Sequence, residues 1–375
     1  MRCSWWIAGI AIATALQAVL APAAHTPTAP ASKTAPAPRK PDPQHVSADE
    51  PLLKKWSSDK AAEYLDKWAS YHEGKTCLDC HETYAYLLAR PYLSTPGKRH
   101  AERRAAAEAY AAGLLKEQWS PEVTDPKPVQ RPVERRITEA LMTGVVLAQH
   151  DAATTGKLQK VSRDLLDGMW KIQRPDGAWH WLKTGEPPSV TDDQYGAVMV
   201  AMGTGLAPDQ YAQTPAAQAG LKKVRTYLRE HPPRHLHQRL LLMMAHKAIG
   251  ELMSPEEKQK TVADLFELQR PEGGWAMASL ADWKRIDKTP QNLTDSDGYG
   301  TGFAVYALRL AGDVGAADPR IRKAIAWIET HQRESGYWYT RSPKINDAMS
   351  TYVGTSYVIM AMHLCGEIPG DRGSR

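Results

Sequence analysis

Apolar residues recur every three or four positions through most of the chain after Trp56, which is the spacing of one face of an α-helix. Proline and glycine interrupt this pattern and divide it into segments. The pattern predicts about twelve helices, with ranges 58–72, 81–93, 99–118, 133–150, 157–173, 192–206, 215–230, 235–250, 255–269, 296–312, 319–332 and 348–365. No segment alternates apolar and polar residues as a half-buried β-strand would, so an all-α fold is expected.

The two members of each successive helix pair differ in composition. The first is the more charged, as in the segment 255–258, where proline and two acidic residues open a helix. The second is rich in glycine, alanine, methionine and tyrosine, which suits a crowded interior. Six such pairs predict a closed α/α ring with the charged helices outside, and an open solenoid of the same pairs is the structural alternative.

Three segments of the later chain repeat a pattern of glutamine, a glycine-containing loop and tryptophan, at 170–179, 266–275 and 327–338. Each is followed, after a further loop, by a small-residue-rich helix that begins near a tyrosine. We expect the glutamine to reach free carbonyl and amide groups at helix ends and the glycine to permit a tight turn. The tryptophan would cover the apolar end of the neighbouring pair, so the segments are predicted to be structural.

These glutamine-to-tryptophan segments resemble the repeats of squalene-hopene cyclases and related prenyltransferase-type toroids. The resemblance covers most of residues 155–366, with more degenerate repeats before them. It implies an all-α fold in the form of an α/α toroid of six helix pairs, the terpenoid cyclase-like barrel. It does not imply the cyclase reaction, because one fold supports many functions.

The resemblance also points to candidate catalytic acids. The cyclases protonate an isoprenoid with an Asp-x-Asp-Asp motif, and the segment 295–298 reads Asp-Ser-Asp-Gly. Asp297 and Asp295 are therefore candidate acids, and Asp193 holds the equivalent place in an earlier repeat. The alternative is helix capping, since 191–194 fits a capping box and aspartate is a common N-cap residue.

Two features argue against cyclisation. The chain lacks the second helical domain that the resembled enzymes carry. Gly298 replaces the last aspartate of the motif and is expected to open the helix start to water, which works against a neutral Asp297. The alternating glycines at 298, 300 and 302 follow no strand, so they predict close helix packing and not a phosphate-binding loop.

Cys77-x-x-Cys80-His81 is the pattern for covalent attachment of c-type haem. Cys77 and Cys80 would form thioether bonds to the porphyrin, and His81 would be the proximal ligand of the haem iron. A zinc site would need a second ligand pair at finger spacing, and a redox dithiol would sit in a βαβ context. A disulfide between the two cysteines is the remaining alternative in an exported protein.

In a toroid the starts of the inner helices gather at one rim. That rim is predicted to hold His81, Asp192, Asp193, His235, His237, Asp295, Asp297 and Asp347, and a haem there would stand beside the central cavity. Candidates for a sixth iron ligand are His72, His100, His235, His237 and Met349. A six-coordinate iron would serve electron transfer, and an open position would permit binding of a small ligand.

The N-terminus reads as a targeting segment. An apolar stretch at 5–20 follows Arg2, and small residues at 21–23 favour cleavage of a signal peptide, residues 1–23. An uncleaved anchor is the alternative. Residues 24–47, rich in alanine and proline, are expected to form a flexible tether. Residues 48–368 then form the toroid, periplasmic or secreted, with no transmembrane span in the mature chain.

The composition restricts the class of partner that the protein can bind. A net charge of +5, from 47 basic and 42 acidic residues, is small and dispersed, which argues against a nucleic-acid partner. The leading interpretation is an exported protein with covalent haem c that acts in redox chemistry with a redox partner protein. The alternatives are an isoprenoid-binding, cyclase-like enzyme with a small apolar ligand in the toroid cavity, and a non-catalytic interaction module.

Overall fold

A computed structural model describes residues 44–71, 80–93, 97–189 and 191–368. Over these residues the protein is all-α, as predicted. The helices are α1 (Ser58–Tyr71), α2 (Cys80–Ala89), α3 (Lys98–Leu114), α4 (Arg131–Thr154), α5 (Lys160–Lys171), α6 (Asp193–Gly205), α7 (Pro215–Glu230), α8 (Leu236–Ile249), α9 (Pro255–Glu267), α10 (Gly298–Ala311), α11 (Pro319–Thr330) and α12 (Asp347–Leu364). The predicted signal peptide and most of the tether lie outside the described residues, as does Cys77.

The even-numbered helices contact one another in sequence. Helix α2 packs on α4, α4 on α6, α6 on α8, α8 on α10 and α10 on α12, and α12 returns to contact α2. Each odd-numbered helix packs on at least one even-numbered neighbour, and α1 contacts both α2 and α12. None of the helices in the described ranges is long and apolar enough to cross a membrane.

Burial separates the two sets of helices, as their composition predicts. In α10 every residue from Gly298 to Val305 is buried. In α9, by contrast, only Thr261 and Leu265 are buried, because most of the other residues of that helix are charged or polar. The expected start of α9 is confirmed, since Ser254 and Glu257 form a capping box around Pro255.

The three tryptophans of the repeat pattern are fully buried and share one hydrogen-bond geometry. Each indole N–H donates to the backbone carbonyl ten residues earlier, near the end of the preceding odd-numbered helix. These bonds join Trp179 to Met169 at 2.9 Å, Trp275 to Leu265 at 2.7 Å, and Trp338 to Ile328 at 2.7 Å. The tryptophans therefore satisfy helix-end carbonyls while they bury large aromatic surfaces.

The glycine of each repeat loop has a positive φ and no room for a side chain. The values are 101° at Gly177, 110° at Gly273 and 102° at Gly336. A Cβ atom there would clash with a backbone carbonyl of the next odd-numbered helix, α7, α11 or α1 respectively. Only glycine meets both conditions.

The repeat glutamines link each loop to the next odd-numbered helix, mostly through carbonyls. The Nε2 of Gln173 donates to Gly220 in α7 at 3.1 Å, and that of Gln269 donates to Arg320 in α11 at 2.9 Å. The expectation that these glutamines also reach amides holds only for Gln332, whose Oε1 accepts from the Ser57 amide at 2.6 Å. The last repeat is thereby attached to the start of α1.

The segment before α1 strengthens that attachment. The Glu50 carboxylate accepts hydrogen bonds from the Tyr337 hydroxyl at 2.7 Å and from the Ser335 amide at 2.6 Å. Leu52 forms an isolated antiparallel bridge with Arg333. Ser47, the last residue of the predicted tether, also hydrogen-bonds to Tyr337.

Candidate functional site

The main cavity lies between the even-numbered helices. It holds about 660 Å³ of empty space, including the part open to solvent, and receives side chains from α2, α4, α6 and α12. The described residues that line it are Tyr84, Ala85, Leu88, Thr138, Met142, Trp181, Ser189, Tyr195, Met199, Val353, Ser356, Tyr357 and Met360. None of these carries an acidic, basic or imidazole group, so the cavity is an uncharged, mainly apolar environment.

A second cavity adjoins the first on the side where the helices begin. It holds about 710 Å³ of empty space, again including an open part, and shares Tyr195, Val353 and Tyr357 with the first. Glu186, the one charged residue of its described lining, is paired with Lys344 at 2.9 Å. The two cavities share part of their lining, and together, as the chamber, they are apolar on the first side and more polar towards the helix starts.

Tyr357 belongs to the shared lining and Tyr299 to that of the second cavity, and His237 contacts Tyr299 from outside the two linings. The Nε2 of His237 lies 2.9 Å from the Tyr299 hydroxyl, and the His237 ring stacks on Phe303 at 4.3 Å. The rings of Tyr299 and Tyr357 meet edge to face, with 5.2 Å between ring centres. Burial raises the pKa of both phenols, so they remain protonated hydrogen-bond donors.

Several of the residues predicted for the rim make contacts at helix starts, with Asp192, His235 and His237 in one cluster and Asp347 in another. The Asp192 carboxylate pairs with Arg234 and accepts from Gln238 at 3.0 Å. His235 and His237 both contact Trp283, at 5.7 and 5.5 Å between ring centres. Further along, Asp347 accepts hydrogen bonds from Tyr339 and from the Ser342 amide.

Asp193, a candidate acid, is held as an ion pair. Its carboxylate lies 2.8 Å from Arg174 and 2.6 Å from Lys183, and it accepts from the Trp181 amide at 3.2 Å. Burial raises the pKa of Asp193, but the two cations outweigh burial and hold the pKa below its usual value. Asp193 is therefore suited to fixing the 174–193 loop and poorly suited to donating a proton.

Asp297 is buried at the start of α10 and caps that helix. Its Oδ1 accepts from the Gly300 amide and its Oδ2 from the Met277 amide, both at 2.7 Å. Burial raises the pKa of Asp297 to about 7, although these amide bonds act in the opposite direction. The expectation that Gly298 opens this position to water is wrong, because Gly298 is packed against the Trp338 backbone and Asp297 is only 8% exposed.

The capping alternative holds for Asp297 but not for Asp193 or Asp295, and in both repeats the cap lies later than the sequence predicts. The N-cap of α6 is Asp192, one residue after the predicted Thr191. The N-cap of α10 is Asp297 itself. Asp295 lies on an exposed loop, where its carboxylate accepts from the Asn292 amide group at 3.2 Å. The glycines at 298, 300 and 302 provide close packing, as predicted.

Only part of the haem motif falls within the described residues. Cys77 is outside the described residues, while Cys80 and His81 form the first positions of α2. Among the described residues no group of three or more histidine, cysteine, aspartate or glutamate side chains is arranged to hold a metal ion.

The candidates for a sixth iron ligand differ in their surroundings. His100 is buried and lies 2.8 Å from the Nε2 of His150, and His237 is occupied by Tyr299. His235 caps α8 through its ring nitrogen. Met349 lines the second cavity, which leaves its thioether open to a ligand there. His72 lies outside the described residues.

Sequence reasoning missed the residues that form the chamber. Tyr195 and Tyr299 stand near the starts of small-residue-rich helices, and Met199 and Tyr357 lie within such helices, where no pattern distinguishes them from core residues. The recurrence of tyrosine near the starts of these helices was the available signal, since a phenol suits a boundary between an apolar interior and a wet opening. No protein-family model matches the chain, and no match was found among curated proteins.

Proposed function

We propose that the protein is an exported α/α toroid that carries covalent haem c and takes part in redox chemistry with a partner protein. The toroid is supported by the circuit of contacts through the even-numbered helices and back from α12 to α2. It is further supported by Gln332, which makes with the start of α1 a contact equivalent to those of Gln173 and Gln269 with later helices.

One observation carries the haem proposal: the Cys77-x-x-Cys80-His81 motif ends on the helix that lines the chamber. Position 81 lies one helical turn before Tyr84 and Ala85 and two turns before Leu88, so the four positions share a face of α2. Those three later residues line the main cavity. The motif therefore ends on a helix whose later residues line an apolar, uncharged cavity. Such an environment suits a porphyrin.

In this proposal Cys77 and Cys80 hold the porphyrin and His81 ligates the iron. The bound haem supplies one-electron transfer. The chain's own contribution is an apolar wall, formed in part by Tyr84, Ala85 and Leu88, that limits water near the group.

Haem attachment is tested by expressing the chain with a c-type maturation system. The protein should retain haem colour through denaturing electrophoresis, and Cys77→Ala or Cys80→Ala should lose most of it. Cys365→Ala is the matched control, because Cys365 is distant in sequence from the motif, and it should retain haem fully. A colourless product with a Cys77–Cys80 disulfide would contradict the proposal.

A second candidate, a cyclase-like enzyme acting on an isoprenoid, is favoured by the raised pKa of Asp297. It is weakened because both Asp297 oxygens accept backbone amides and the residue lines neither cavity. We expect incubation with squalene or shorter isoprenoids to give no cyclised product. A cyclic product that Asp297→Asn abolishes and Asp295→Asn leaves unchanged would favour this candidate instead.

A further inference from the structure

The connection from α9 to α10 forms an open groove outside the chamber, here called the α9–α10 groove. Its described lining comes entirely from residues 268–293 and shares no residue with the two chamber cavities. It holds about 1440 Å³ of empty space, including the part open to solvent. Ala278 is the only one of its described lining residues that is buried. The groove is therefore too open to enclose a small molecule, and it suits a segment of polypeptide.

Hydrogen bonds to the loop before α12 hold the groove in place. Gln291 donates through its Nε2 to the Trp283 carbonyl at 2.9 Å and to the Pro343 carbonyl at 2.8 Å. Arg285 donates to the Ser342 carbonyl at 2.5 Å. Because these bonds order the groove in the absence of a partner, little conformational entropy is lost when a partner binds.

The lining of the α9–α10 groove carries an excess of positive charge. Four of its described residues are basic and one is acidic. Lys284 and Arg285 are each paired with an aspartate of the same connection. The other two cations, Arg270 and Lys288, have no ion-pair partner among the described residues. The groove therefore offers two positive charges to a ligand.

Comparison of the repeats shows how Arg270 comes to lack a partner. Arg174, the corresponding residue of the first repeat, binds Asp176 at 2.9 Å and Asp193 at 2.8 Å. In the second repeat Gly298 takes the place of Asp193 as the first residue of the following helix. The second repeat thus has the arginine without one of its two acids.

The other acid position is held by Glu272, which has a different partner. Its carboxylate accepts a hydrogen bond from the Ser296 hydroxyl at 2.6 Å, and no ion pair joins it to Arg270 in the described structure. The Nε of Arg270 is also without a hydrogen-bond partner among the described residues. A guanidinium group in this state is suited to a carboxylate from outside the chain, because arginine and carboxylates bind through parallel charge-assisted hydrogen bonds.

Apolar side chains line the same groove. Trp283 is half-buried, and the rings of His235 and His237 pack edge-on against it. Leu293 is 50% exposed. Tryptophan and arginine are enriched among the residues that contribute most to binding in protein interfaces. The groove thus combines unpaired positive charge with apolar contact surface, a combination that matches an acidic segment with apolar side chains.

We infer that the α9–α10 groove binds an extended acidic segment of another protein. Carboxylates of that segment pair with Arg270 and Lys288, and its apolar side chains lie against Trp283 and Leu293. The tether of this chain is not the occupant, because residues 24–47 carry three basic residues and one acidic residue and are repelled by the groove. The inference uses no residue of the haem motif and does not depend on haem attachment.

The test uses two labelled nonapeptides in which leucine alternates with either glutamate or glutamine. Their binding to the purified mature chain is measured by fluorescence anisotropy at low and at high salt. The glutamate peptide should bind, and its affinity should fall as the salt concentration rises. The glutamine peptide should bind about tenfold more weakly, because it has the same length and apolar content but no carboxylates.

Matched charge variants locate the site. The double variant Arg270→Gln with Lys288→Gln should weaken binding of the glutamate peptide about twentyfold, because both pairing cations are lost. Lys222→Gln with Arg229→Gln removes the same charge from exposed positions of α7 and should change the affinity less than about twofold. Lys288→Gln alone, at an exposed position, should weaken binding about threefold.

Circular dichroism melts show which variants are folded, and if Arg270→Gln prevents folding, the comparison of Lys288→Gln with Lys222→Gln decides. Absence of glutamate-peptide binding to the unmodified chain would overturn the inference. Equal affinity for the glutamine peptide, or equal effects of the groove variants and the α7 variants, would do the same. Size-exclusion chromatography tests a second copy as the occupant: a dimer that becomes a monomer in Lys288→Gln would also overturn the inference.

Discussion

At the scale of single residues, two independent constraints require glycine, which has no Cβ atom, in each repeat loop. Gly273 has a positive φ, which disfavours any side chain, and its α-carbon faces the Lys323 carbonyl of α11. Gly168, a half-buried residue of α5, has neither constraint, since no atom lies within 4 Å of where a Cβ would stand. The same substitution is therefore expected to have opposite effects at the two positions.

Gly273→Ala should lower the free energy of unfolding by about 3 kcal/mol, since it adds backbone strain and displaces α11 from the loop. Gly168→Ala should raise it by about 0.5–1 kcal/mol, because alanine is favoured over glycine within a helix. Urea denaturation of both variants measures the difference. Equal effects at the two positions would contradict the packing described for Gly273.

A buried histidine pair between α3 and α4 gives a second prediction at this scale. Because an arginine can only donate, the Nδ1 of His150, 3.0 Å from Arg104, is an acceptor. The proton of His150 is then on Nε2 and is donated to His100 at 2.8 Å. Burial lowers the pKa of both rings, that of His150 to about 3, so the pair is neutral at pH 7.

A histidine with a depressed pKa stabilises the folded state fully above its unfolded pKa of about 6.5, and that stability is lost as the pH falls towards its folded value. The melting temperature should therefore fall between pH 7 and pH 5. In His150→Gln this part of the pH dependence should be shallower, because the unfolded chain of the variant has one fewer proton to gain. Parallel curves for the two proteins would refute the assignment.

At the scale of elements, periodicity and proline–glycine punctuation predicted the helices to within a few residues at most ends, because both reflect local chain preferences. The caps were displaced, because they depend on tertiary contacts. Asp297 caps α10 through the Gly300 amide, but its second oxygen accepts from the Met277 amide of a segment 20 residues earlier, which no local pattern reveals. The chamber could not be predicted from the sequence for a similar reason. Helices that are buried on every side have no apolar periodicity that distinguishes the face lining a cavity from the other faces.

The segment before α1 gives the prediction that belongs to this scale. Glu50→Ala removes the acceptor for the Tyr337 hydroxyl and the Ser335 amide, so it should lower the free energy of unfolding by about 1–3 kcal/mol. Glu63→Ala is the matched control, since its surface pairs with Lys60 and Lys67 contribute little. Chemical denaturation should distinguish the two, and a similar loss in both would argue against a special role for Glu50.

At the scale of the whole molecule, the last repeat contacts the start of α1. Three glutamine-to-tryptophan loops make equivalent attachments, two of them to helices that follow closely in sequence. The third attaches Gln332 to Ser57, 275 residues earlier. Because the last repeat returns to α1, that helix contacts both its own partner α2 and helix α12.

That long return has a consequence for the order of events during biosynthesis. The carboxylate of Glu50 and the carbonyl of Ser57 leave the ribosome long before their partners, the Tyr337 hydroxyl and the Gln332 amide group. Until those partners are translated, α1 lacks the neighbours that cover one of its sides. The nascent chain therefore exposes an uncovered hydrophobic edge over this interval, which is the condition under which nascent chains aggregate or need chaperones.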